Sequence, residues 1–215
     1  MQTRGKRAQV GFSLVELVTV VAIIMVLAGF AVISTVTTTA NAKANAASQA
    51  VISQLRAARQ MAITLRRNVL ITFTAPNQIQ LAVQTVPGEA AAPVITPVYL
   101  NDNVPGGAQF FVFSGMPDTP MGFGNSNAIT FAPATGGTAG LSVMYSSAGS
   151  LVGTTATSGF ASVGGSNPVN ASIFVGFTGK PNTARAITVL GSTGRVRSYY
   201  WAGPSTGGST SNWNE

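Results

Sequence analysis

The sequence predicts an α+β fold: one long N-terminal helix, its first half membrane-spanning, packed on an antiparallel β-sheet head. Three observations predict it. From Phe12 to Ile33 the only clearly polar side chains are Ser13, Glu16 and Thr19. Farther on, Ala44, Ala47, Val51, Leu55, Ala58, Ala62 and Leu65 recur at spacings of three and four, the stripe of a helix packed along one side. After Asn68 the period changes to alternation, broken by Gly- and Ser-rich joints, which indicates antiparallel strands rather than βαβ units.

Residues 1–11 form a basic leader whose Arg4, Lys6 and Arg7 stay on the cytoplasmic side of a membrane by the positive-inside rule. Residues 12–34 are the hydrophobic segment. A helix over Phe12–Ile33 is about 33 Å long, enough to cross a hydrocarbon core. Glu16 is the anomaly, because a charge at the middle of a membrane helix costs roughly 2.5–3.5 kcal/mol. It calls for a partner. Residues 35–67 continue as an amphipathic helix, with no Gly or Pro between Phe30 and Ala75. Arg56, Arg59, Arg66 and Arg67 fall largely off the apolar stripe, as a solvated face does. Small residues in "TTANAKANA" also suit ordinary signal cleavage near Ala42, which would release a secreted β-rich protein.

The head is expected over 68–202. "NVLITFTA" and "QIQLAVQTV" read as two strands around a Pro-Asn turn, followed by "AQFFVF", "NAITFA", "LSVMYS", "SIFVGF", "RAITVL" and "RVRSYYW". "ATGGTAG" and "ATSGFASVGGSNP" are joints. The last segment, 203–215, lacks a core-forming pattern and is expected to be a flexible tail.

Composition narrows the chemistry. The 215 residues include no Cys and no His, so disulfides, Cys-type metal centres and the commonest general base are excluded. Beyond Glu16, the carboxylates Glu89, Asp102, Asp118 and Glu215 stand isolated in sequence. There is no nucleophile elbow or Walker loop; "GFTGK" lacks the spacing and the following Ser/Thr of a phosphate loop. No enzyme, cofactor or metal is expected. The net charge of +7 falls to +4 without the leader, which permits an anionic partner without demanding one.

The hairpin "AITVLGSTGRVRSYYW" holds the most suggestive head residues. A loop from Gly191 to Gly194 would pair Leu190 with Arg195, Thr188 with Arg197 and Ala186 with Tyr199. Alternation then puts Ile187, Val189, Val196 and Tyr200 on an apolar core face and Arg195, Arg197 and Tyr199 on the other. Guanidiniums about 7 Å apart on one strand suit successive phosphates, and Tyr199 could stack on a base. Lys180 and Arg185 are candidates to widen this patch, although the register turns Arg185 inward or to the sheet margin. The alternative is that both arginines cover the sheet or meet a neighbouring protein.

"GFSLVELVTVVAII" closely resembles the class III signal of type IV pilins and type II secretion pseudopilins. The resemblance implies a pilin-like fold, cleavage by prepilin peptidase between Gly11 and Phe12, and methylation of the new terminus. Glu16 becomes the fifth mature residue and meets the α-amino group of a neighbouring subunit in a filament. The head resembles the GspH/FimT branch of minor pilins and pseudopilins through "ARQMAITLRRNVLITF", "ITFAPATGG" and "ITVLGSTGRVR". Implied partners are other pilin or pseudopilin subunits, the peptidase, an inner-membrane assembly platform and the membrane itself. The implied location is a single-pass inner-membrane precursor with a periplasmic head, then a pilus or pseudopilus. In FimT-type proteins a GRxR motif is linked to DNA binding in natural transformation, and Gly194, Arg195, Val196 and Arg197 fit it. A DNA-binding minor pilin and a secreted β-rich protein remain the alternatives.

Overall fold

The computed structural model describes residues 13–85, 94–100, 107–132, 142–153, 168–203 and 212–215, the side chains of 30–38, 94, 96 and 132 excepted. The chain divides into two compact units, Met1–Thr39 and Ala40–Glu215. The helix α1, Leu14–Leu65, contributes to both.

In the first unit the side chains of α1 from Leu14 to Leu27 are exposed, large apolar ones included. Among the described residues no helix is long and apolar enough to cross a membrane. The expected span 12–34 includes Phe12 and the side chains of 30–34, which lie outside them, as does the leader 1–11.

In the second unit α1 buries the expected stripe, with Ala44, Ala47, Val51, Leu55, Ala58 and Ala62 all inaccessible and Ile52 beside them. Leu65 departs from it and is exposed, because the helix ends there. Arg66 takes φ of +51°, and the bonds Arg66 N–H to Ile63 O (3.3 Å) and Arg67 N–H to Ala62 O (3.1 Å) close a Schellman cap.

Eleven strands follow among the described residues: β1 Val69–Thr74, β2 Gln78–Val83, β3 Val94–Tyr99, β4 Gln109–Phe110, β5 Ile129–Ala132, β6 Ser142–Tyr145, β7 Leu151–Gly153, β8 Asn170–Phe177, β9 Lys180–Leu190, β10 Arg195–Trp201 and β11 Trp213–Asn214. All named pairs are antiparallel. The architecture is therefore α+β, but the head holds two sheets rather than one. The first runs β3-β2-β1-β6-β7; the second runs β11-β10-β9-β8-β4, with β5 also on β8. One core joins both to the helix: Val51 and Leu55 meet Ile71, Phe73 and Tyr145 from the first sheet and Ile173 and Ile187 from the second.

Three strands have no counterpart in the sequence expectation. β3 contains Pro97, which lacks a ladder donor, and it is accordingly an edge strand. β7 has three residues and borders the first sheet. β11 corrects the expected flexible tail 203–215 at its far end: Trp213 is buried and pairs with Trp201. A single tryptophan in a Gly/Ser-rich segment supplied the apolar area that the composition of the segment concealed. Residues 204–211 of that tail lie outside the described residues, as does most of "ATGGTAG" and "ATSGFASVGGSNP".

Candidate functional site

The β9–β10 hairpin takes the expected register, with Arg195 opposite Leu190, Arg197 opposite Thr188 and Tyr199 opposite Ala186. Its Gly191–Gly194 turn is closed by Gly194 N–H to Leu190 O at 2.7 Å. Packing explains both glycines. A Cβ on Gly191 would overlap the backbone of Val169. Gly191 also donates to Asn170 Oδ1 (3.0 Å) and accepts from Leu151 N–H (2.8 Å), tying the turn to β7 and to the start of β8. Gly194 has φ of +65°, and a Cβ there would lie 2.5 Å from Gly149 O and 2.6 Å from Arg59 Nε. Arg59 in turn donates from Nε to Gly149 O at 3.1 Å. Helix, first-sheet turn and hairpin turn thus meet at one point. Arg59 also faces Tyr145, whose phenol burial pushes up to about 12, the nearby guanidinium pulling the other way. Among the described residues the Tyr145 hydroxyl has no hydrogen-bond partner.

The candidate side chains separate. Arg195 is exposed. Arg197 is partly exposed and pairs with Glu215 at 3.5 Å. The Tyr199 phenol beside it, and then Glu215, hold its guanidinium above the ordinary value. Tyr199 corrects the expectation of an exposed stacking ring. It is buried with Phe174, Ala184, Ala186 and Trp213, because the second sheet is covered on this face too, by Val112, Phe113, Met116 and Met121. Trp213 is fixed there by Nε1–H to Pro117 O (3.0 Å) and stands edge-on to Trp201, centroids 5.3 Å apart. Tyr200, expected on the core face, is instead 46 % exposed. It lies opposite Arg185, whose side chain bonds to Asn45 of the helix.

Lys180 is exposed at the start of β9, while Arg197 pairs with Thr188 near the other end of that strand. The separation along β9 is about 26 Å, so Lys180 does not widen the patch. Arg185 is buried, as the register implied. Its Nε donates to Asn45 Oδ1 at 2.7 Å and its Nη1 to the carbonyls of Asn182 and Ala184. Burial lowers its pKa, with Tyr200 opposing. It fastens sheet to helix and offers nothing to a surface ligand.

Glu16 sits exposed in the first turn of α1, and Thr19 Oγ1 donates to its backbone carbonyl at 2.8 Å. The processing residues Gly11 and Phe12 lie outside the described residues. Among the described residues no group of His, Cys, Asp or Glu could hold a metal. What remains at the hairpin is two guanidiniums on adjacent outward positions of one strand, one of them in a solvent-exposed ion pair with Glu215. Sequence reasoning did not find the Arg59–Gly149–Gly194 junction or the Trp213 strap. The isolated tryptophan near the end of the chain was the one available signal for the latter.

Comparison with family models, with curated proteins and with solved structures gives no match for this chain.

Proposed function

We propose that this chain is a pilin-type filament subunit, a minor pilin or pseudopilin of GspH/FimT character, made as a single-pass precursor of the bacterial inner membrane. One observation carries the reading. Between Leu14 and Leu27, α1 exposes eleven large apolar side chains, among them Leu14 (79 %), Met25 (69 %) and Leu27 (62 %), on every side of the helix. A helix that is apolar all round requires apolar surroundings, lipid or other helices. Glu16, alone among them, requires a cation, and the α-amino group that cleavage after Gly11 would create on a neighbouring copy supplies one.

In this reading prepilin peptidase cuts between Gly11 and Phe12 and methylates Phe12. The helix is held in the membrane with the head in the periplasm. An assembly platform then moves the subunit into a pilus or type II secretion pseudopilus, where helices stack and Glu16 fixes axial register. Breaking a buried ion pair leaves one charge uncompensated at a cost of about 3–5 kcal/mol, which makes the pair a register device rather than a glue. The DNA-receptor alternative loses its stacking ring and its third cation to the burial of Tyr199 and the remoteness of Lys180.

Mass spectrometry of the mature N-terminus tests the proposal. A methylated Phe12 is expected; a start near Lys43 would mean ordinary secretion and overturn it. Glu16→Ala should reach the membrane at wild-type levels yet fail to enter filaments, and normal incorporation would refute the role of the carboxylate.

A further inference from the structure

We propose that the outer edge of β10 is a docking site for an extended acidic segment of a partner protein, which adds a strand beside Arg195–Ser198. The inference does not rest on the filament reading. β10 has β9 on one side along its length, but on the other side β11 covers only Tyr200 and Trp201. Ala202 N–H bonds to Asn212 O at 3.0 Å, which identifies the even-numbered residues of β10 as those whose backbone faces the β11 lane. Val196 and Ser198 therefore present N–H and C=O groups into that lane, with no strand opposite them among the described residues. Such an edge is a template for an added strand.

Charge selects the occupant. Arg195 and Arg197 alternate with Val196 on this edge, so a second β10 laid antiparallel would set guanidiniums against guanidiniums, and like charges directly opposite destabilise a pair. Self-pairing is disfavoured, and a strand with acidic residues two apart is favoured. The chain itself exhibits the match: Glu215, one step beyond β11, places Oε2 3.5 Å from Arg197 Nη1. An incoming strand that continues the β11 register places its acids opposite Arg197 and Arg195. Its intervening residue lies opposite Val196, which is partly buried against the main core. The recognised pattern is acidic–apolar–acidic in extended form.

The test uses the full-length protein in detergent micelles and a blocked octapeptide of alternating glutamate and valine. The peptide should bind and slow hydrogen exchange of the Val196 and Ser198 amides. Binding should weaken about tenfold or more with Arg195→Glu/Arg197→Glu, and with added salt. On the unaltered protein, a peptide N-methylated at its edge-facing amides should not bind. No binding of the parent peptide overturns the proposal, as does binding that leaves those two amides unchanged or ignores N-methylation. Equal binding of a lysine–valine peptide overturns it too. Arginine-dependent binding of duplex DNA in place of the peptide overturns it in favour of a nucleic-acid contact.

Discussion

Substituting Gly194 by alanine separates a packing role for the GRVR glycine from a ligand role. Gly194 and Gly179 both take left-handed φ, +65° and +76°. A side chain in that region costs about 1–2 kcal/mol. At Gly179 nothing lies within 4 Å of an added Cβ, so Gly179→Ala should cost that amount and no more. At Gly194 the Cβ would meet Gly149 O at 2.5 Å, Arg59 Nε at 2.6 Å and Arg59 Cδ at 2.8 Å. The guanidinium must withdraw, and its bond to Gly149 O is lost. A hydrogen bond from a charged donor contributes about 1.5–3 kcal/mol, which brings Gly194→Ala to about 2.5–5 kcal/mol. Denaturant titration of the detergent-solubilised protein, followed by tryptophan fluorescence, reads the difference through buried Trp213. If Gly194→Ala costs no more than Gly179→Ala, the junction with Arg59 is not under steric control and the reasoning fails.

Arg66→Gly should raise stability by about 1 kcal/mol by relieving φ of +51° at the helix cap, seen as a higher denaturation midpoint at unchanged slope. Tyr145 supplies a pH dependence. Its folded pKa of about 12 lies above the ordinary 10.0, so the folded state holds the proton more tightly and stability falls as pH rises from 10 towards 12. The total loss is about 2–3 kcal/mol, and Tyr145→Phe should flatten that alkaline slope without lowering stability near pH 7, since the buried hydroxyl has no partner among the described residues. Trp213→Ala should cost about 3–5 kcal/mol in the same titration by opening the cluster over Tyr199.

Much of the head was legible because its signals are local. The stripe from Ala44 to Ala62, the strand ending at Trp201 and the pairing of Arg195 with Leu190 all follow from period and turn chemistry. The misreading of Tyr199 has one cause. Alternation distinguishes two faces of a strand, but it does not say whether the second face is wet. β8 almost throughout and β9 from Thr183 to Val189 are buried on both faces, and the residues that cover the outer one, Phe113, Met116 and Trp213, come from a loop and a tail without periodicity. Tyr199 was therefore assigned to solvent. Lys180 was drawn into the patch by sequence proximity, whereas an eleven-residue strand carries it to the far end of the sheet.

The bond from Arg185 to Asn45 spans 140 positions of the chain, and that from Arg59 to Gly149 spans 90. Neither fastening exists until most of the polypeptide has left the ribosome. Val51, Leu55 and the alanines around them emerge early, and part of their cover, Ile173 and Ile187, arrives only with β8 and β9. Closing such distant contacts is slow, and apolar surface left uncovered meanwhile invites aggregation. Biogenesis of this molecule thus favours attended synthesis, with the nascent helix sheltered until β9 is complete.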